Sequence, residues 1–211
     1  TRYRVRLSDE PELVLIPPGI SEIGLESFSI GTIRHPEEWD YTGSIFKARD
    51  SRNPASIHDL WQCRLFRLLD VSHAWLYDLR SYCPDENVGR PVENRLTGQR
   101  FGPYDVEVLN EVLILEQSRH VTVKDLYFKN AQVDSGAANG YAMRISGSDN
   151  LLENVVIERM KKGFSIMDSW ASGNVVKDCT TYDPLDAADI LGRSGAAGFH
   201  GLVGHALHLV D

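Results

Sequence analysis

The sequence predicts an all-β chain wound as a parallel β-helix, with about six to seven coils of three strands each. One observation is a cassette of apolar residue, spacer, small polar turn residue and apolar residue. It recurs at Leu25-Glu26-Ser27-Phe28, Ile57-His58-Asp59-Leu60, Leu76-Tyr77-Asp78-Leu79, Val123-Lys124-Asp125-Leu126, Leu152-Glu153-Asn154-Val155 and Val176-Lys177-Asp178-Cys179. A second is the period-two alternation on both sides of each turn residue, as in His120-Val121-Thr122-Val123-Lys124 and Leu126-Tyr127-Phe128-Lys129, which marks strand. A third is a further run of the same period upstream of most copies: Phe46-Lys47-Ala48, Phe66-Arg67-Leu68, Leu113-Ile114-Leu115, Met143-Arg144-Ile145 and Ile166-Met167-Asp168.

The elements follow in chain order. Residues 1–20 alternate Arg with apolar residues and end near Pro17-Pro18-Gly19, as a first strand or a cap. Residues 21–183 hold the coils. Each Ser, Asp or Asn of a cassette marks a corner between two strands, because Asp and Asn accept left-handed backbone angles and bond their own backbone two residues on. Around these corners Phe66, Leu68, Met143, Ile145 and Cys179 are expected to point inward, Cys179 as a small hydrophobe. Residues 82–105, rich in Pro, Gly, Asn and charge, form a long inserted loop, and 130–140 a shorter one. Residues 184–211 make a partial last coil: His205 to Asp211 repeats the pattern of His73 to Asp78 and stops at the next corner. A solenoid left incomplete at its C-terminus exposes a strand edge, so the expected assembly is a homo-oligomer through that end. The whole of 1–211 is expected to be one β-helix domain.

A net charge of -8 disfavours nucleic acid as a partner, since phosphate binding needs a concentrated basic surface. No apolar run approaches the roughly 18 residues of a membrane-spanning helix. The chain starts at Thr1 without a basic-then-apolar leader, as a cytoplasmic or a processed protein would. The three cysteines, Cys63, Cys83 and Cys179, match neither a metal pattern nor a disulfide framework. His200, His205 and His208 have no common zinc spacing.

Alternation turns Lys47, Arg67 and Arg144 outward on one sheet. With strands about 4.8 Å apart, Lys47 and Arg67 stand on successive coils and Arg144 two coils further along. Acids flank this row: Asp50, Asp70, Glu116 and Asp168. Arg90, Arg95, Arg100 and Tyr104 of the inserted loop could wall a groove. His73 and His120 lie in equivalent places, five residues before Asp78 and Asp125. The plain alternative for an outward charged column is solubility and edge control.

The segments SRHVTVKDLYFKN, GYAMRISGSDNLLENVVIERMKKGFSIMDSWASGNVVKDCTTYD and, more loosely, LFRLLDVSHAWLYDLRSY resemble the pectate-lyase-like right-handed β-helix superfamily, over about residues 21–183. The resemblance implies right-handed winding, an extracellular or periplasmic location, and a groove for a polysaccharide along the upstream strands. It further implies cleavage or binding of an acidic polysaccharide, with β-elimination ahead of hydrolysis. Lys47, Arg67 and Arg144 would then supply base, acid and neutralising charge, Arg90, Arg95, Tyr104 and His120 would bind substrate, and Asp70, Glu116 and Asp168 would hold calcium. The Trp-Ile-Asp-His and Arg-x-Pro-x-x-Arg segments of pectate lyases are absent, as are the Asn-Thr-Asp, Asp-Asp and Gly-His-Gly elements of polygalacturonase-like hydrolases. A non-catalytic glycan-binding or structural β-helix of the tailspike kind is the alternative.

Overall fold

The computed structural model describes residues 19–35, 63–92, 103–132, 141–160, 162–166, 171–182, 203–205 and 208–210, with backbone alone for 162, 203–205 and 208–210. The strands are β1 (Gly24–Ile30), β2 (Arg64–Leu69), β3 (Ser72–Ser81), β4 (Glu111–Lys129), β5 (Tyr141–Ser148), β6 (Leu151–Glu158), β7 (Lys162–Ile166), β8 (Val175–Lys177), β9 (Thr180–Tyr182), β10 (Val203–His205) and β11 (His208–Val210). All eleven belong to one sheet and every pairing between them is parallel. The protein is therefore all-β. No helix among the described residues is long and apolar enough to cross a membrane.

Register converts sequence repeats into columns. Leu25, Leu76, Val123, Leu152 and Val176 are successive partners along β1-β3-β4-β6-β8. Phe66, Leu113, Met143 and Phe164 are partners along β2-β4-β5-β7, as are Leu68, Leu115, Ile145 and Ile166. A third row follows each cassette, where Phe128 pairs with Ile157 and Ile157 with the fully buried Thr181. These apolar columns, with Phe128, Ile157 and Cys179, form one core, so Cys179 is the small interior hydrophobe its place in the cassette predicts. Parallel strands are commonly buried on both sides. Accordingly the intervening residues Val112, Ile114, Ala142 and Ser165 are buried as well.

The corners are columns too. Ser27, Asp78, Asp125, Asn154 and Asp178 all have φ between 50° and 57°. A second column precedes it in each pass of the chain: Glu22, His73, His120 and Asp149 have φ of 54° to 58°, and Gly173 has φ 68°. Left-handed backbone is disfavoured for residues with a Cβ, so its recurrence at one register position shows that the bend is set by the sheet. At Gly173 a Cβ would lie 2.1 Å from Asp149 Oδ1, so any other residue there would push that carboxylate aside. β4 turns through Gln117, His120 and Asp125 and runs on for 19 residues, its register with β5 shifting between Glu116 and Arg119 at the first of these bends.

Buried polar groups close the remaining gaps. Asn150 accepts from the Val121 N–H at 2.9 Å and donates to Asn174 Oδ1 at 3.0 Å, and Asn174 donates to the Gly147 carbonyl at 2.8 Å. In the inserted region Asn87 is fully buried, donating to the Thr32 and Val106 carbonyls and accepting from the Arg34 N–H. The segment expected to be plain loop thus carries a 3-10 turn at Asp85–Asn87, an antiparallel bridge between Val92 and Tyr104, and a small core of Val92, Tyr104 and Val106.

Two expectations shift. The cassette 57–60 with Asp59 lies outside the described residues, and β1 pairs directly with β3, so no pass intervenes between Ser27 and Asp78. The upstream strand of the fifth pass is Lys162–Ile166, two residues earlier than Ile166-Met167-Asp168, because Phe164 rather than Ile166 pairs with Met143. The strand at 46–48, the loop at 133–140, the N-terminal residues 1–18 and most of 184–211, with the oligomer contact expected there, lie outside the described residues.

Asp125 offers a direct check of the corner column. In Asp125→Val a β-branched side chain meets φ 57°, at a cost of about 1–3 kcal/mol. Asp125→Gly removes that strain and the same side-chain bond from Asn154. Urea denaturation should therefore place the Val variant below the Gly variant in stability by at least about 1 kcal/mol.

Candidate functional site

Arg67 and Arg144 share one column, separated by Ile114. Both are engaged. Arg67 pairs with Glu116 at 2.7 Å, and Arg144 with Glu111 at 3.3 Å. Glu111 is 1% exposed and also receives Arg64 Nε at 2.8 Å, so two guanidiniums compensate one buried carboxylate. A buried acid needs such compensation, since taking a charge out of water costs several kcal/mol. Asp70 sits beside Glu116, its N–H donating to the Glu116 carbonyl at 3.1 Å. No group of three or more His, Cys, Asp or Glu among the described residues is placed to hold a metal ion. The third expected calcium ligand, Asp168, lies outside the described residues, as do Lys47 and Arg95.

The expected substrate-binding residues separate. Tyr104 is buried, its hydroxyl donating to the Ala131 carbonyl at 2.8 Å. Arg90 donates to the Glu86 carbonyl at 3.4 Å within its own loop. His120 alone enters an open cavity, a shallow one of about 420 Å³ lined by Glu22, His73, Ala74, Trp75, Tyr77, His120 and Thr122.

That cavity is built by the corners. His73 and His120 occupy the same left-handed position on adjacent passes, and their rings stack with centroids 4.8 Å apart and planes 29° off parallel. One pass earlier the position holds Glu22. Two residues beyond His73, Trp75 points outward and its indole lies across Gly24, the partner of Trp75 on β1. A Cβ on Gly24 would come within 2.4 Å of the ring, so only glycine lets the indole lie there. The indole N–H donates to Glu26 at 2.5 Å, which fixes the ring in its plane. The result is a held aromatic surface with carboxylate and imidazole groups around it. Such a surface suits a flat, hydroxyl-bearing ligand.

Trp75 and Tyr77 are the residues the sequence argument passes over. Their signal was present in the segment 73–78, where alternation places both on the solvent side, one of them a tryptophan with no core to fill.

A second cavity of about 460 Å³ lies at the next corner, lined by Asp78, Arg80, Asp125, Leu126, Tyr127, Asn154 and Val156. Within its lining Arg80 pairs with Asp78 two residues before it, and Asn154 donates to Asp125 at 2.6 Å. In the neighbouring column Lys124 and Lys177 both pair with the intervening Glu153. Hydrogen bonds from Lys177 and then Lys124 hold the Glu153 carboxyl below its ordinary range. Partial burial, followed by the hydrogen bond to Glu158, pushes the Tyr127 phenol up to about 12.

Comparison of the chain with protein-family models, curated proteins and solved structures finds no match. The functional reading rests on the site itself.

Tyr127 gives a pH dependence. Its neutral form is favoured in the folded state, so the unfolded chain releases this proton first as pH rises from 10. The stability from the Tyr127–Glu158 bond is complete below pH 10 and declines between 10 and about 12. Stability measured against pH should fall less steeply over that window in Tyr127→Phe than in the parent. Equal slopes would contradict the assignment.

Proposed function

We propose that the eleven-stranded sheet winds as a right-handed parallel β-helix and that its outer face over β1, β3 and β4 binds a polysaccharide. Support for the winding comes from the all-parallel pairing and the left-handed corner columns. Parallel crossover connections are right-handed in nearly all known cases. The single observation that carries the binding role is Trp75, laid over Gly24 and tied to Glu26 beside the His73–His120 stack. A sugar ring placed on the indole buries its C–H face, while its hydroxyls meet Glu22, His73 and His120. The cavity is shallow and stands on an exposed sheet face, which suits an extended chain more than an enclosed small molecule.

A second reading is cleavage of a uronate polymer by β-elimination, with calcium held by acids near the upstream strands. The observation that favours it is the shared column of Arg67 and Arg144. Against it stand the ion pairs that occupy both side chains.

Titration with a panel of oligosaccharides, followed by tryptophan fluorescence and calorimetry, tests the first reading. Trp75→Ala should weaken binding by about tenfold or more with an unchanged circular dichroism spectrum. Affinity equal to the parent's would sink it. The same samples, incubated with uronate polymers with calcium or chelator, should show no rise in the absorbance of unsaturated product; a rise lost in Arg67→Ala and Arg144→Ala would instead establish the second reading.

A further inference from the structure

We infer that the saccharide taken by the Trp75 face is uncharged, and that a uronate is disfavoured there. This inference rests on the binding role proposed for that face. Glu22 lines the cavity, and Glu26 is fixed against the edge of the indole. No described cation forms an ion pair with either carboxylate. In the Glu26 column the next residues are Tyr77 and then Lys124, whose ammonium is taken by Glu153. Arg119, exposed and adjacent to His120, is outside the cavity lining. A sugar carboxylate lying on the indole would therefore meet carboxylates on the β1 side with no compensating partner. The whole chain, at a net charge of -8, adds repulsion at longer range.

A neutral sugar reverses the sign. Its hydroxyls donate to the free lone pairs of Glu22 and Glu26, and hydrogen bonds to an ionised acceptor are about twice as strong as neutral ones. The two imidazoles accept or donate to further hydroxyls. Only the hydroxyl-bearing face and the C–H face of the sugar are needed. The site thus discriminates by charge rather than by shape.

The experiment titrates the full chain with neutral oligosaccharides (xylo-, cello- and manno-oligomers) and with oligogalacturonate and oligomannuronate of equal length. Each is measured at low salt and at about 0.5 M salt, where charge interactions beyond roughly 4–5 Å are screened. The neutral series should bind about tenfold or more tightly than the uronates at low salt. The gap should narrow at high salt and in Glu22→Gln. Uronates that bind as tightly as the neutral series, with Trp75→Ala removing that binding, would overturn this inference and leave the binding role standing. Binding of no saccharide, or binding that Trp75→Ala does not alter, would remove the parent reading and this inference with it.

Discussion

Left-handed corners held in register are the constraint on which the rest of this protein depends. Successive passes of the chain bend at shared register positions, among them one filled by Glu22, His73, His120, Asp149 and Gly173, one by Ser27, Asp78, Asp125, Asn154 and Asp178, and further ones by Asp70 with Gln117 and Asn130 with Arg159. A bend that came one residue early would turn every following side chain to the opposite face and bring the apolar columns out of the core. Pairing and corner therefore fix each other: the hydrogen-bonded register sets where the backbone must turn, and the turn keeps the next pass in register.

The polar interior obeys the same rule. Asn150 and Asn174 sit at inward positions immediately after the first corner, where the bend leaves backbone groups without strand partners. Their amides satisfy Val121 N–H and the Gly147 carbonyl and then each other. Glu111 shows the cost of putting charge in such a place, since it is shared by Arg64 and Arg144. The ion pairs of Arg67 and Arg144 thus help to hold the upstream strands together. The outer face over β1 and β3 is different in kind: Trp75 is tied to Glu26 and half-buried, His73 stacks on His120, and these histidines and Glu22 are exposed.

The corner column was legible in the sequence because Asp and Asn, which fill four of its five places, accept left-handed backbone more readily than other residues with a Cβ. The column at His73 and His120 was only half legible. Its members are Glu, His, His, Asp and Gly, which share a backbone conformation but no side-chain chemistry, so pattern alone picked out the two histidines and missed the others. Asp59 matched the cassette but lies outside the described residues, while β1 pairs directly with β3, since four residues of local pattern do not determine which strand pairs with which. Met167-Asp168 illustrates period-two ambiguity: a shift of two residues keeps the alternation and changes the partner. Trp75 was visible as a residue but its setting was not, because that setting comes from Gly24, 51 positions earlier in the chain, lying beneath its ring.

The central claim is that residues far apart in the chain stack one pass above another at the corners, and a distance across that stack tests it most directly. Spin labels carried by unnatural amino acids at positions 27 and 178, four passes apart, should give a narrow pulsed-EPR distribution centred at about 19 Å plus the label arms, four steps of about 4.8 Å. A broad distribution, or one centred beyond about 35 Å, is incompatible with stacked corners at this spacing and would contradict the account.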